Sequence, residues 1–267
     1  MKDTAHENQF YEAKNCLGEE VEAEQLLAQL VDSTGSAVIR EIISKEELPL
    51  SPKETIDVSY FVAAQMFRVP AIRNHMEAMR QTIISKWGPD ISHINDERTI
   101  GEYSPEDAKF SSIVFLREEV PKFARILQEK AWFLWRAPVG TAYILSDNPV
   151  VKHNYIDSWP RGNLGLAQEG IEVYFPIAPH LVLSFLCPKM AGLFNVTPDG
   201  RAKMELQRRR KVILTRSESV EFVNSLQVLE AERFLYASRE ADFQIAREMI
   251  KKNPELSKPA SQRMMPH

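Results

Sequence analysis

Gly140 to Val151 reads GTAYILSDNPVV. Thr141 to Leu145 is a short apolar run of the kind that forms a strand, and Ser146-Asp147-Asn148-Pro149 then supplies turn chemistry. Pro149 biases Asn148 away from helical angles, and the Asp147 carboxylate can bond the backbone two residues on. A strand running into a turn is the expectation here, and the texture of the chain changes around it. Downstream, Val150 to Val151, Ile171 to Pro176 and Leu181 to Cys187 are further short runs of β-branched, aromatic and aliphatic residues, punctuated by Gly, Pro, Asn and Asp. They read as strands of one small sheet.

Upstream the pattern is helical. Val21 to Ser44 places Leu27, Leu30, Val31, Val38 and Ile42 near a helical period with Gly35 as a break, giving one interrupted helix or two short ones. Ser51-Pro52-Lys53-Glu54 combines an N-cap residue, proline at the first helical position and Glu three residues after the cap, which together satisfy the orphan amides of a helix start. Val58, Phe61, Val62, Met66 and Val69 then line one face until Pro70 breaks the helix. Ala71 to Trp87 resumes helical composition, and Ser104-Pro105 opens another helical stretch that Pro121 interrupts before Trp135. After the strand cluster, periodicity leaves 202–215 open between strand, hairpin and helix. Ser217 to Ala237 and Ala241 to Lys252 read as helices.

Helices, then strands, then helices give an α+β expectation, with a mostly helical N-terminal half, a small central β-sheet and C-terminal helices packed on it. The corresponding division is a loose segment 1–15, a single domain 16–253 (helical 16–136, sheet-rich 137–216, helical 217–253) and a polar tail 254–267. A chain of 267 residues with 44% hydrophobic and 26% charged residues can build such a core. Its net charge of -4 offers no global attraction for nucleic acid or an anionic membrane. Cys16 and Cys187 are the two cysteines, too few for a disulfide framework or a four-cysteine zinc site, so a reducing, cytoplasmic setting is expected. MKDTAHENQF lacks the apolar core of a signal peptide, and LVLSFLC (Leu181 to Cys187) is too short to span a bilayer, so no membrane partner is expected.

Several segments in order resemble the bacterial family called domain of unknown function 4238. These are Tyr11 and the following helix with Glu24, Arg68-Val69-Pro70, Trp135 before GTAYILSDNPVV, Phe175-Pro176-Ile177-Ala178-Pro179, and Asn224 through Ser238 (NSLQVLEAERFLYAS). The resemblance covers nearly the whole chain and implies no assigned activity or cofactor. Members usually begin with a segment resembling His-Tyr-Val-Pro-Gln followed by an aromatic residue and Leu. This chain is expected to start downstream of that segment, and His6 does not replace it.

Polar residues interrupting apolar patterns are the candidate site. Gln65, at i+4 from Phe61 and i+7 from Val58, is expected near the centre of the helical stripe, where its amide needs partners, and Arg68 lies within reach three residues on. Arg68 has two readings: a stem on the core edge with its guanidinium in water, or a partly buried structural or functional group. Asp147 with Asn148 is either a self-sufficient turn or a carboxylate projecting into a cleft, and an Arg68–Asp147 pair would join the helical half to the sheet. Glu230, four residues from Leu226 and from Phe234, places a carboxylate on an apolar face, with Asn224, Gln227 and Arg233 as neighbours in an internal network or, alternatively, as surroundings of a catalytic acid.

The six histidines (His6, His75, His93, His153, His180 and His267) show no metal-ligand spacing, so no dedicated metal site is expected; Asp147, His153 and Asp157 would meet at an ion only if the following loop folded back. No glycine-rich phosphate loop or Gly-x-Ser-x-Gly motif occurs. RAKMELQRRRKVILTR (Arg201 to Arg216) is the one concentrated basic tract, and Arg208, Arg209, Arg210 and Lys211 are candidate phosphate contacts or simply a solvated face. Trp132, Phe133 and Trp135 are expected in core packing or lining a pocket. Two function classes stand: a ligand-binding or enzymatic domain with a polar pocket between the Arg68 helix and the Asp147 turn, and a non-catalytic interaction or nucleic-acid-contacting protein using 201–216.

Overall fold

Ser51 starts its helix as its neighbours dictate. Its hydroxyl accepts from the Glu54 amide at 3.1 Å while the Glu54 carboxylate accepts from the Ser51 amide at 3.0 Å, with Pro52 at the first helical position. This is seen in a computed structural model that describes residues 12–14, 20–22, 34–49, 51–69, 82, 85–86, 105–156 and 163–263, of which 12–14, 20–22 and 105–112 as backbone alone. Of the Ala71 to Trp87 helix, only 82 and 85–86 lie within the described residues, and they are helical.

In chain order the elements begin with β1 (Glu12–Lys14) and β2 (Glu20–Glu22), an antiparallel pair, then α1 (Ser36–Lys45), α2 (Pro52–Phe67) and α3 (Pro105–Gln128). The strands β3 (Ala131–Arg136), β4 (Leu145–Ser146), β5 (Val151–Asn154), β6 (Ile171–Ala178) and β7 (Leu181–Leu186) follow. The chain continues as α4 (Pro188–Leu193), α5 (Pro198–Arg208), β8 (Ile213–Leu214), α6 (Ser217–Glu230), β9 (Leu235–Tyr236) and α7 (Gln244–Lys252). Gly35 precedes α1 where α2 passes close by: a Cβ there would lie 2.6 Å from the Cβ of Phe61.

The central sheet has the order β5-β6-β7-β3-β8, antiparallel except for the parallel pair β3–β8. Because side chains alternate across a strand, the register assigns each to a face. Trp132, Leu134, Val173, Phe175, Leu183 and Phe185 pack on α2 (Val58, Val62, Met66) and α3 (Leu116, Val120, Ala124, Leu127) in the largest core cluster. The Trp132 indole N–H closes the junction by donating to the Leu127 carbonyl at 2.8 Å. On the opposite face Val182 and Tyr174 meet Val220 and Val223 of α6, while Phe133 and Leu186 meet Ala191 of α4, Phe194 and Met204 of α5. The fold is α+β, with helices from both ends of the chain enclosing the sheet.

Several elements differ from the sequence reading, each for a physical reason. Residues 20–22 are strand rather than helix. Helix α3 continues through Pro121, which sits on its exposed side with Arg117 and Glu118, so the carbonyl that loses its donor can turn to water. Trp132 to Trp135 form the interior strand β3 instead of closing the helical half. The 202–215 ambiguity resolves as helix to Arg208, a turn with Arg210 at φ 59, and the short strand β8. Helix α6 stops at Glu230, seven residues before Ala237, because Ala231 turns extended and the amides beyond it are claimed by Asp147.

Candidate functional site

The 140–151 stretch enters the structure as an extended segment largely without a strand partner. Leu145 and Ser146 pair with β9, and Val151 opens β5 beside β6; along 142–149 the side chains of α6 supply further partners. Asn224 accepts from the Ile144 amide at 3.0 Å and donates to the Ala142 carbonyl at 2.9 Å, as a neighbouring strand would. One turn on, Gln227 accepts from the Ser146 amide at 2.9 Å and donates to the Pro149 carbonyl at 3.0 Å. Gln227 is fully buried and Asn224 nearly so. Burying amides is stable only when both the oxygen and the nitrogen of each find partners, as they do here.

Asp147 completes the lacing. Its Oδ1 accepts from the Glu232 amide at 2.9 Å, and its Oδ2 from the amides of Arg233 and Phe234 at 2.8 and 3.2 Å. Three successive amides converging on one carboxylate make a nest, occupied here from within the chain. The expected Arg68–Asp147 pair is not formed: Asp147's hydrogen bonds among the described residues run to the 232–234 segment, and Arg68 is not among its partners. Arg68 instead donates from Nε to Gln65 Oε1 at 3.1 Å, the partnership that the three-residue spacing suggests. Both are half-buried, so Gln65 flanks the stripe rather than centring it; the buried face runs through Val58, Val62, Ala63, Met66 and Phe67. The Asn148 amide bonds the Ser146 hydroxyl at 3.2 Å, closing the turn locally.

Glu230 is half-buried, and its carboxylate acts on Lys152 of β5. Burial lowers the Lys152 pKa, and the Glu230 carboxylate acts in the opposite direction. Asn224 and Gln227, expected as neighbours of Glu230 in an internal network, direct their hydrogen bonds to the 142–149 backbone. Of the basic tract, Arg208 and Arg209 pair with Glu205 at 3.7 and 2.8 Å, Lys211 pairs with Glu47, and the Arg210 carbonyl accepts from the Leu48 amide at 2.8 Å. Two carboxylates, Glu205 and Glu47, thus pair with three of these four cations.

A second polar cluster, missed in the sequence, lies on the sheet face under α6. His153 of β5 stands opposite Glu172 of β6, and its Nδ1 is 3.4 Å from Glu172 Oε2. The Tyr174 hydroxyl donates to the same Oε2 at 2.9 Å. Phe222 of α6 meets the His153 ring edge to face at 5.0 Å and the Tyr174 ring at 6.0 Å. Burial first, then the Glu172 charge and hydrogen bond, hold the Tyr174 phenol well above its ordinary pKa; burial also raises that of Tyr143, which lies under α6 with Val220 and Val223. His153 and Glu172 keep 27% and 14% of their side-chain surface, so solvent reaches both. Only the β5–β6 register brings them together across 19 residues, a pairing that no local spacing displays. Among the described residues, no three His, Cys, Asp or Glu side chains gather as a metal site, and no helix is long and apolar enough to cross a membrane. Asp157 and Cys16 lie outside the described residues. The Cys187 thiol is pushed up by burial but pulled below its ordinary value by the amides of Gly170, Lys189 and Met190 and by Lys130.

A short mixed sheet between two helical layers, with its 140–151 stretch laced to α6, defines the class as an α+β domain. Within that class the chain belongs to the family described as Protein of unknown function (DUF4238), which matches residues 1–241. No curated protein and no solved structure matches the chain.

Proposed function

We propose that this is a ligand-binding domain, equipped for proton transfer, whose polar site is the corner formed by His153, Glu172, Tyr174 and Phe222. The observation that carries the reading is the unequal use of the two Glu172 oxygens. Oε2 serves both His153 and Tyr174, whereas Oε1 and the His153 Nε2 have no partner among the described residues, beside the half-buried Tyr174 ring and the exposed Phe222 ring. A carboxylate that orients an imidazole and leaves its far nitrogen open to solvent is the arrangement a general base or a ligand contact requires. In this reading Asp147 and Asn148 are framework that fixes α6 over the corner, while Gln65 and Arg68 belong to α2 on the other face. Residues 16–253 act as one domain, and two cysteines suit a reducing bacterial cytoplasm.

A binding screen of metabolites, metals and nucleic acids against purified protein, repeated with His153→Gln and Asp147→Asn, tests this. Ligands that require His153 and tolerate Asp147→Asn support the corner. Ligands that require Asp147 and ignore His153 return the site to the turn. Salt-sensitive retention on nucleic acid, lost when Arg208 to Lys211 are neutralised, would favour the phosphate-contacting alternative.

A further inference from the structure

Resting on the reading above, we infer that the His153–Glu172 corner recognises an organic cation, an alkylammonium or guanidinium group. The inference follows from which lone pairs are unspent. Because His153 Nδ1 faces Glu172 Oε2, a neutral imidazole carries its proton on Nδ1 and presents Nε2 as an acceptor. Glu172 Oε1 is likewise an acceptor, since the Tyr174 hydroxyl donates to the other oxygen. Both open positions therefore call for a ligand that donates hydrogen bonds, and the carboxylate favours one that carries positive charge.

The lining points the same way. Phe222 meets the imidazole and the Tyr174 ring at near-perpendicular angles, 89° and 84°, and both of those groups contact the Glu172 carboxylate, so a cation held by Glu172 finds aromatic rings nearby. Among the described residues a metal ion would find two open ligand atoms here, fewer than a dedicated site supplies. Among the described ion pairs no lysine or arginine of the chain fills the position. Lys152, next in sequence to His153, projects from the opposite side of the strand.

The test is a titration of the 267-residue protein with butylguanidinium and butylammonium chlorides, followed through the His153 imidazole resonances, with butanol, butyrate and magnesium chloride as comparison probes. Wild type, Glu172→Gln and Phe222→Leu are compared after circular dichroism confirms that each is folded. Glu172→Gln retains an acceptor for the Tyr174 hydroxyl. The expected result is a response to both organic cations, weakened roughly tenfold by Glu172→Gln and about threefold by Phe222→Leu, with no response to butanol. Equal cation affinity in wild type and Glu172→Gln overturns the inference. Response to butanol, butyrate or magnesium with silence from both organic cations also overturns it while leaving the corner a binding site; silence of His153 toward every probe, and toward every ligand of the wider screen, rejects both.

Discussion

The Asp147 turn and the His153–Glu172 corner lie one strand apart and use similar polar groups to opposite ends. At the turn both carboxylate oxygens are occupied by backbone amides, and the amides of Asn224 and Gln227 are matched on donor and acceptor sides. At the corner one carboxylate oxygen does double duty while its twin and a ring nitrogen stand open. A polar group whose valences are filled by its own chain explains itself through folding, and one with valences to spare invites an explanation from outside. By that criterion the sequence's most recognisable stretch is architecture, and a pair that no motif announces is the better place to look for function.

The contrast can be broken first at Gln227. Gln227→Leu would strand the buried Ser146 amide and deprive the half-buried Pro149 carbonyl of its donor, at about 1–3 kcal/mol for an unsatisfied buried group, and chemical denaturation should show a loss in that range or above it. Unchanged stability would mean that the lacing is incidental. Asp147→Ala comes next: three amides lose their acceptor, but Arg233 is exposed and water can replace part of it, so about 2 kcal/mol is expected by the same measurement. A mutant as stable as wild type, yet unable to bind a ligand that wild type binds, would make Asp147 functional and reverse the comparison.

The smallest effect concerns the phenols near the corner. Tyr143 and Tyr174 both have folded-state pKa values raised above the ordinary 10.0, chiefly by burial. Above about pH 10 the unfolded chain releases protons that the folded chain retains, so stability is intact below that pH and declines as pH rises past it. Tyr143→Phe should flatten this alkaline decline, read as a shallower fall of melting temperature between neutral and strongly alkaline buffer. An unaltered slope would show that Tyr143 is not buried as described.

Legibility from sequence followed the range of the interactions. The Ser51 to Glu54 start was readable because its partners are three residues apart, and β6 and β7 because their runs carry strand composition throughout. The Arg68–Gln65 bond could be anticipated from helical spacing alone. Thr141 to Leu145 read as a strand and is mostly an unladdered extension, since its true partners are helix side chains some 80 residues away. Gln65 sits a fraction of a helical turn from the centre that its spacing suggests: Val58, Val62 and Met66 define the buried face, and Phe61 and Gln65 lie at its edge. The His153–Glu172 pair depends on strand register and was invisible to local reading, as was the Lys211–Glu47 pair that quiets the basic tract.

The end of α6 carries a last consequence. Glu232 is almost fully buried, and its carboxylate accepts from the amide and hydroxyl of Ser261 at 2.8 and 2.7 Å, while the Arg263 guanidinium donates to the carbonyls of Leu229 and Ala231. Ala246 of α7 packs beside Val228. The family match stops at residue 241, short of all these contacts. The boundary of the family match and the boundary of mechanical integrity therefore differ, and a fragment trimmed to the former would be missing the clasp that holds shut the helix to which the 140–151 stretch is tied.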